Sequence, residues 1–441
     1  MFSFALALRK KAEQRFSPAG VNFWCHVSEG AFASFGFSLV SGGFIFPVIA
    51  TQLGASPFML GAFNSVMGLS FLAQLLFAHR MESVHRKKHL VLMLGIGQRA
   101  PFLAIPLCLL ALATNAPLVC LILITAVNLA AGFLVSLLVP PWMDLVAETI
   151  PKERVGRLFG YRNSISSAMS LVSGMISYAL IAGYAFPTNY ALVYFLSLGS
   201  VMISWLLFTL VDEAPQDAPV RHRQSAREYH GELLATLKRD QAYRCYLAYK
   251  GISRIGFAAM FYYSVVAISP KYGVSPAFAA GVYATIAAGV QIVGNLLFPL
   301  LGERFGHKRL LMIGAVLHAA AALTAAYAPS GGWFIAVVVL SSMGVAAQAV
   351  GESPLMLQVA PRSKRIGYMV LSSVVLAPVG MVASPVAGYL LQEAGATTLF
   401  GLAAAGILAA LIPLERCRPA PEDALAEGEP VPAAPSREAA G

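Results

Sequence analysis

The sequence predicts an all-α polytopic membrane protein, with about twelve transmembrane helices in two six-helix bundles related by an internal repeat. Three observations carry that prediction: sparse charge, a regular succession of apolar stretches of bilayer-spanning length, and a likeness between the two halves of the chain. Of the 441 residues, 58% are hydrophobic and 12% charged. That is about half the charge of an average soluble domain, and a water-soluble fold has no means of hiding so much apolar surface.

A helix that crosses a bilayer needs about 20 mostly apolar residues. In the first half, residues 24–50, 57–77, 90–113, 118–140, 159–183 and 190–211 meet that requirement. In the second half, 245–269, 277–301, 310–328, 332–354, 366–391 and 397–414 do so. The expected organisation is a basic N-terminus over 1–23, a first bundle over 24–211, a linker over 212–243, a second bundle over 244–414 and a tail over 415–441. The tail, rich in Pro, Ala and Glu, is expected to be disordered. Within the linker, 228–238 reads as a short amphipathic helix on the membrane surface and 214–219 as flexible chain.

Lys and Arg near span ends stay on the cytoplasmic side during insertion, so their distribution gives orientation. They gather in alternate connections: Arg9, Lys10, Lys11 and Arg15; Arg86, Lys87 and Lys88; Lys152, Arg154 and Arg157; Arg221, Arg223 and Lys238; Arg304, Lys308 and Arg309; Arg362, Lys364 and Arg365. The intervening loops 51–56, 114–117 and 187–189 are uncharged, and Lys271 and Glu393 are the charges assigned to that side. Both termini are therefore expected in the cytoplasm of a cell bounded by this inner or plasma membrane. The net charge of +10 follows from this topology, and no soluble basic patch suggests nucleic acid as a partner. The apolar residues 1–8 precede the basic cluster rather than follow it, unlike a cleaved signal peptide. Cys25, Cys108, Cys120, Cys245 and Cys417 stand singly and read as reduced packing residues.

Sliding the chain on itself by about 220 residues reveals the repeat. Gly36-Phe37 meets Gly256-Phe257, Gly54-Ala55-Ser56-Pro57 meets Gly273-Val274-Ser275-Pro276, and Gln74-Leu75-Leu76-Phe77 meets Asn295-Leu296-Leu297-Phe298. Glu82 falls opposite Glu303, and Arg86, Lys87 and Lys88 fall opposite His307, Lys308 and Arg309. Pro151-Lys152-Glu153-Arg154 and Pro361-Arg362-Ser363-Lys364 follow the fourth helix of each half. Parallel six-helix repeats are an established transporter architecture, with the site near mid-membrane between the halves.

Gly302-Glu303-Arg304-Phe305-Gly306-His307-Lys308-Arg309 resembles the loop motif of the major facilitator superfamily (MFS): an acid, Arg, any residue, Gly and two basic residues. The first-half copy, Met81-Glu82-Ser83-Val84-His85-Arg86-Lys87, lacks the Arg and the Gly. The resemblance extends over about residues 24–414 by helix number and order. It implies a cytoplasmic gate in which Glu303, Arg304, Gly306, Lys308 and Arg309, with Glu82 in the other half, pair with neighbouring helix ends in one state of the protein. Asp144 with Glu148, and Glu352, at the ends of the fourth and tenth helices, are candidate partners or solvated caps. The plainer reading of the basic residues is topological retention.

Ionisable groups deep in a span are costly and usually face a cavity. Arg99, beside Gln98 and before a kink expected at Pro101, lies too deep to snorkel; it either offers a bidentate fork to an anionic ligand group or is a structural Arg tied to helix carbonyls or an acid. Glu29, with His26 one turn away, either carries a coupled proton or is a paired carboxylate. In the seventh helix Lys250 and Arg254 share a face, Lys250 snorkelling and Arg254 lining the cavity with Phe257, Phe261 and Tyr262. Asn128, Gln291, Asn295, His318 and Gln348 are further mid-span polar groups, candidates for the pathway or for interhelical glue.

The fifth helix lacks the Gly-Pro antiporter motif of drug and proton exchangers, and the sixth-helix exit Asp212-Glu213-Ala214-Pro215 lacks the sugar-porter signature. No phosphate-binding Gly loop, nucleophile motif or metal-spaced cluster appears in the sequence, so no cofactor, no metal and no enzymatic activity are expected. The expected function is secondary active transport of a small-molecule substrate by alternating access, with protons as the candidate coupling ion, membrane lipids as surroundings and the monomer as the working unit. The alternative is a non-transporting receptor or lipid-handling scaffold with the same fold. Of these two, the mid-membrane charges argue for transport.

Overall fold

The computed structural model describes residues 13, 17–40, 43–70, 87–213, 240–359 and 365–417, and every regular element among them is helical. The first span is Pro18–Leu39 continued by Ile45–Gln52, and the second begins with Pro57–Gly68. The third runs through Lys87–Arg99, a 3-10 turn Ala100–Leu103 and Ala104–Leu112, so the bend expected at Pro101 is present. The fourth, fifth and sixth are Pro117–Thr149, Lys152–Gly183 and Thr188–Phe208. The seventh is Gln241–Phe257, a 3-10 turn Ala258–Tyr262 and Tyr263–Ala267; the eighth is a π-helical turn Phe278–Val282 followed by Tyr283–Phe305. The ninth and tenth are His307–Ala326 and Trp333–Val359. The eleventh and twelfth form the run Arg365–Ala409, broken at Gly395 (φ 80°), and the chain continues into Leu411–Arg416.

Eight helical stretches are long and apolar enough to cross a membrane, and the longest, Leu371–Arg416, contains two spans either side of Gly395. The first and seventh are not among the eight because polar and charged residues such as Asn22, His26 and Glu29, or Lys250 and Arg254, lower their mean hydropathy, and the second is described only to Ser70. Large apolar side chains such as Leu107, Leu110, Leu118, Ile122, Leu296 and Leu300 stand exposed on the outer surface of the bundle. In water such a surface would aggregate; in a bilayer it is the face that lipid covers.

The repeat is visible in geometry. Gly54 (φ 82°) and Gly273 (φ 64°) both turn the chain through the left-handed region that glycine adopts at low cost. Each is followed by a serine that caps the next helix: Ser56 Oγ accepts from Met59 N and Ser275 Oγ from Phe278 N, both at 3.2 Å. The breaks in the first and seventh spans also fall at the matched positions, just beyond Gly36-Phe37 and at Gly256-Phe257.

Within each half, spans pack as neighbours: the first against the fifth and sixth, the third on the fourth, the ninth on the tenth, the seventh against the eleventh. Between halves, the second lies on the eleventh and the fifth on the eighth. The first span begins at Pro18, not 24, with Ser17 as its cap, and the seventh begins at Gln241, not 245, capped by Asp240, whose Oδ1 accepts from Tyr243 N at 2.9 Å. All five cysteines are free thiols. Burial pushes the Cys417 thiol up to about 11, which keeps it protonated at neutral pH. The expected linker helix, most of the tail and Glu82 lie outside the described residues.

Candidate functional site

The first span is held by hydroxyls from its neighbours, because small polar side chains let helices approach closely and bond across a membrane interior. Ser197 Oγ donates to Gly36 O and Ser200 Oγ to Phe32 O, both at 2.7 Å, and Ser177 Oγ donates to Leu39 O at 3.1 Å. At the next turn of the same ladder stands a charge. Ser204 Oγ bonds Glu29 Oε1 at 3.3 Å, and Arg162 of the fifth span donates from Nη1 to Glu29 Oε2 at 2.5 Å and to His26 O at 2.6 Å. Arg162 also stacks its guanidinium 4.8 Å over the Trp142 ring. Gly30 is what admits it: a Cβ at that position would lie 2.6 Å from Arg162 Nη1.

Arg99 closes the cluster from the third span, buried like Glu29. Its Nε donates to Val201 O at 2.9 Å, Nη1 to Gly95 O at 3.1 Å and to Gln98 Oε1 at 3.4 Å, and Nη2 to Ser204 Oγ at 3.4 Å. Its fork is thus spent on protein groups. His26 is fully buried against the Trp142 and Phe208 rings. Thr149 Oγ1 gives its proton to Leu145 O at 2.7 Å, so at 3.3 Å it accepts from His26 Nε2. That assignment leaves His26 Nδ1 as an acceptor with no partner among the described residues.

In the second half the charges are arranged otherwise. The Lys250 ammonium pairs with the Glu352 carboxylate of the tenth span. Arg254, one turn further in, has neither a hydrogen bond nor an ion pair among the described residues; its guanidinium lies against the eleventh span, where a Cβ at Gly380 would be 2.8 Å from Nε. Asn128 returns its amide to Ile124 O at 2.8 Å on its own helix. Gln291 is half-buried, Asn295 exposed, and neither joins the charged clusters. His318 is buried, packed on Phe257 at 4.7 Å.

At the basic end, Lys87 pairs with Glu148 and lies 3.5 Å from Asp144, tying the third span to the fourth. In this structure the motif makes no ion pair among the described residues. Glu303 is exposed and makes no ion pair among the described residues, Arg304 sits 5.3 Å over the Phe305 ring, and Arg309 is exposed. Gly306 makes the turn (φ 88°), and Lys308 Nζ donates to Glu415 O at 2.6 Å and Cys417 O at 2.9 Å, joining the ninth span to the end of the twelfth. The motif thus fastens a junction inside one half. Its acid is unengaged because the described residues bring no basic group to it.

The halves meet in a seam near the charge-poor end. Asn64 Nδ2 donates to Ser384 Oγ at 3.0 Å, and Ser65 Oγ to Met381 O at 2.5 Å. Tyr262 Oη lies 3.1 Å from Pro57 O and 3.0 Å from Ser384 O, its one proton shared between the second and eleventh spans. Gly61 and Gly388 allow this contact, since a Cβ on either would strike Tyr262 Oη and the facing backbone. On the other side of the interface, a Cβ at Gly174 would lie 2.8 Å from Thr285 N, and one at Gly281 2.5 Å from Tyr178 N. The π-helical turn Phe278–Val282 presents Gly281 to that contact.

Sequence reasoning missed Arg162 and the latch role of Tyr262. A fifth span starting at 159 puts Arg162 in its first turn; the helix starts at Lys152, which places it about 15 Å along. Among the described residues no group of His, Cys, Asp or Glu side chains is arranged to hold a metal ion.

The sequence profile described as Major Facilitator Superfamily matches residues 30–290 and 252–439. Solved structures with a similar fold include a mutant of the nucleoside transporter NupG, at 12% identity and a TM-score of 0.69 over 89% of this chain and 99% of that one. A bacterial homologue of the iron transporter ferroportin in an inward-facing state is similar at 15% identity and a TM-score of 0.69, over 90% and 98%. A D-xylose-proton symporter is similar at 14% identity and a TM-score of 0.63, over 89% and 96%. No curated protein matches the chain in sequence.

Proposed function

Because the chain belongs to the Major Facilitator Superfamily, we propose that it is a secondary active transporter, carrying a small solute across the membrane by alternating access of its two halves. The observation that supports this reading best is the seam. It is built from contacts that break without leaving stranded charge: hydroxyls on backbone carbonyls, and glycine against backbone. Two-state elements of that kind are what alternating access requires.

In this reading the basic loops, and with them both termini, face the cytoplasm. The structure is then the state closed towards the outside, and Lys87 with Asp144 and Glu148 belongs to the cytoplasmic network. Arg99 serves as internal glue, because an Arg already bonded to Val201 O, Gly95 O and Ser204 Oγ has no fork to offer. Glu29, Arg162 and His26 form the coupling element. A proton delivered to Glu29 releases Arg162, with His26 Nδ1 a free acceptor one turn away.

The test is flux in proteoliposomes, with the solutes of a metabolite panel followed under an imposed pH gradient. Transport that is driven uphill by the gradient in wild type, and becomes merely downhill in Glu29→Gln, is the expected result. Uphill accumulation preserved in Glu29→Gln rules out the coupling role, and a panel without any flux favours the non-transporting scaffold.

A further inference from the structure

Of the charged groups placed deep in the described spans, Arg254 stands apart. Glu29 is matched by Arg162 and Lys250 by Glu352, and Arg99 is bonded to carbonyls of two spans. Arg254 has none of these, although it lies about 20 Å along the seventh span from Gln241, at mid-bilayer depth. A guanidinium left at that depth without a partner is costly, unless something else completes its bonding.

Arg254 is only half-buried, so part of its surface is open to a further partner, and its guanidinium packs on the bare backbone of Gly380, where a Cβ would lie 2.8 Å from Nε. Gly380 precedes Met381, whose carbonyl accepts the Ser65 hydroxyl across the two halves. The guanidinium therefore sits beside the seam, one residue from a carbonyl that joins the two halves. Phe257 and Phe261 follow it on the same span at the helix break, giving an apolar wall. Tyr262, which bonds the second and eleventh spans, lies two turns beyond.

Resting on the transport reading, we propose that Arg254 is the solute anchor and that the solute is an oxyanion, carrying a carboxylate or phosphate group that takes the planar guanidinium fork, with an apolar part against the phenylalanines. Planar bidentate recognition is what distinguishes Arg from Lys at such a site. An anion drawn to this position beside the seam changes the charge next to the latch, and so ties binding to the contact that must open.

The experiment is a thermal-shift titration of the full chain in detergent with lactate, malate, citrate, glutamate, glycerol phosphate and inorganic phosphate. Glucose, uridine, a quaternary ammonium cation and phosphatidylglycerol vesicles serve as comparators. At least one soluble oxyanion is expected to stabilise wild type, with its midpoint concentration raised about tenfold or more in Arg254→Gln, and partly restored in Arg254→Lys. Gly380→Ala, which crowds Nε and leaves the charge, is expected to weaken the same ligand, and its melting temperature without ligand controls for folding. A neutral or cationic ligand held equally by wild type and Arg254→Gln, stabilisation by phosphatidylglycerol alone, or no response to any oxyanion overturns the anion assignment. Flux of a neutral solute through both proteins would do so while leaving transport intact. An oxyanion that binds through Arg254 but is never carried keeps the site and overturns the transport reading.

Discussion

In the first half, an acid and two guanidiniums are enclosed among the first, third, fifth and sixth spans, with nearly every polar atom bonded; in the second half, the matched span carries one pair near the basic end and one guanidinium alone. The repeat places Tyr249 opposite Glu29, so the seventh span itself carries no acid at that position. The basic end differs in the same spirit. The carboxylate of Glu213, at the end of the sixth span, accepts from the Lys87 and Lys88 backbone N–H groups at 2.9 and 3.0 Å, whereas the ammonium of Lys308 donates to carbonyls at the end of the twelfth. One junction is an anion on a helix start and the other a cation on a helix end, both favourable with the helix dipole. Duplication preserved the geometry of the junction, and the charge was free to reverse. The lesson is a division of labour: one half holds its charge buried and paired, and the other holds a half-buried guanidinium with no ion pair among the described residues.

The largest effect should come from breaking the dry cluster. Arg162→Leu leaves Glu29 buried without its partner, a loss of about 3–5 kcal/mol that should appear as a collapse of the melting temperature in detergent. The double variant Glu29→Gln with Arg162→Gln should recover most of it. Gly30→Ala should act through the same pair, by about 1–3 kcal/mol, because the new methyl displaces the Arg162 side chain rather than removing it. Tyr262→Phe should weaken the seam by about 1 kcal/mol, a roughly fivefold shift towards opening at the charge-poor end, measured as faster thiol labelling of a cysteine placed at Ser384. The smallest effect should be that of Lys250→Met, about 1 kcal/mol or less, since its pair with Glu352 is partly exposed and screened. Equal melting losses for Arg162→Leu and Lys250→Met would erase the distinction between the halves.

The fold was legible because its signals are long and redundant: span-length apolar runs, alternating basic loops, and the turn shared by Gly54-Ala55-Ser56-Pro57 and Gly273-Val274-Ser275-Pro276. The site was legible in part. Glu29, His26, Arg99 and Arg254 stand out in a sequence because charge inside a span is rare. What each touches depends on which faces of distant helices meet, and helix counting gives depth without giving rotation about the axis. Arg99 and Arg254 both stood out as charges inside spans, yet among the described residues one is bonded on three sides and the other has no hydrogen bond or ion pair. Tyr262, expected at a cavity wall, is instead a fully buried latch, and the serines of the sixth span carried no warning, since a serine in a span is ordinary until a backbone carbonyl is found opposite it.

The measurement that bears most directly on the account is a pair of spin-label distances in reconstituted protein lacking its native cysteines. One pair sits at Asn115 and Ser330, exposed loop positions at the charge-poor end of the two halves, and the other at Arg157 and Arg304, exposed at the basic end. The account predicts that Tyr262→Phe, or a transported solute, lengthens the first distance and shortens the second together. Two distances that stay fixed, or that lengthen in the same direction, would contradict alternating access about this seam.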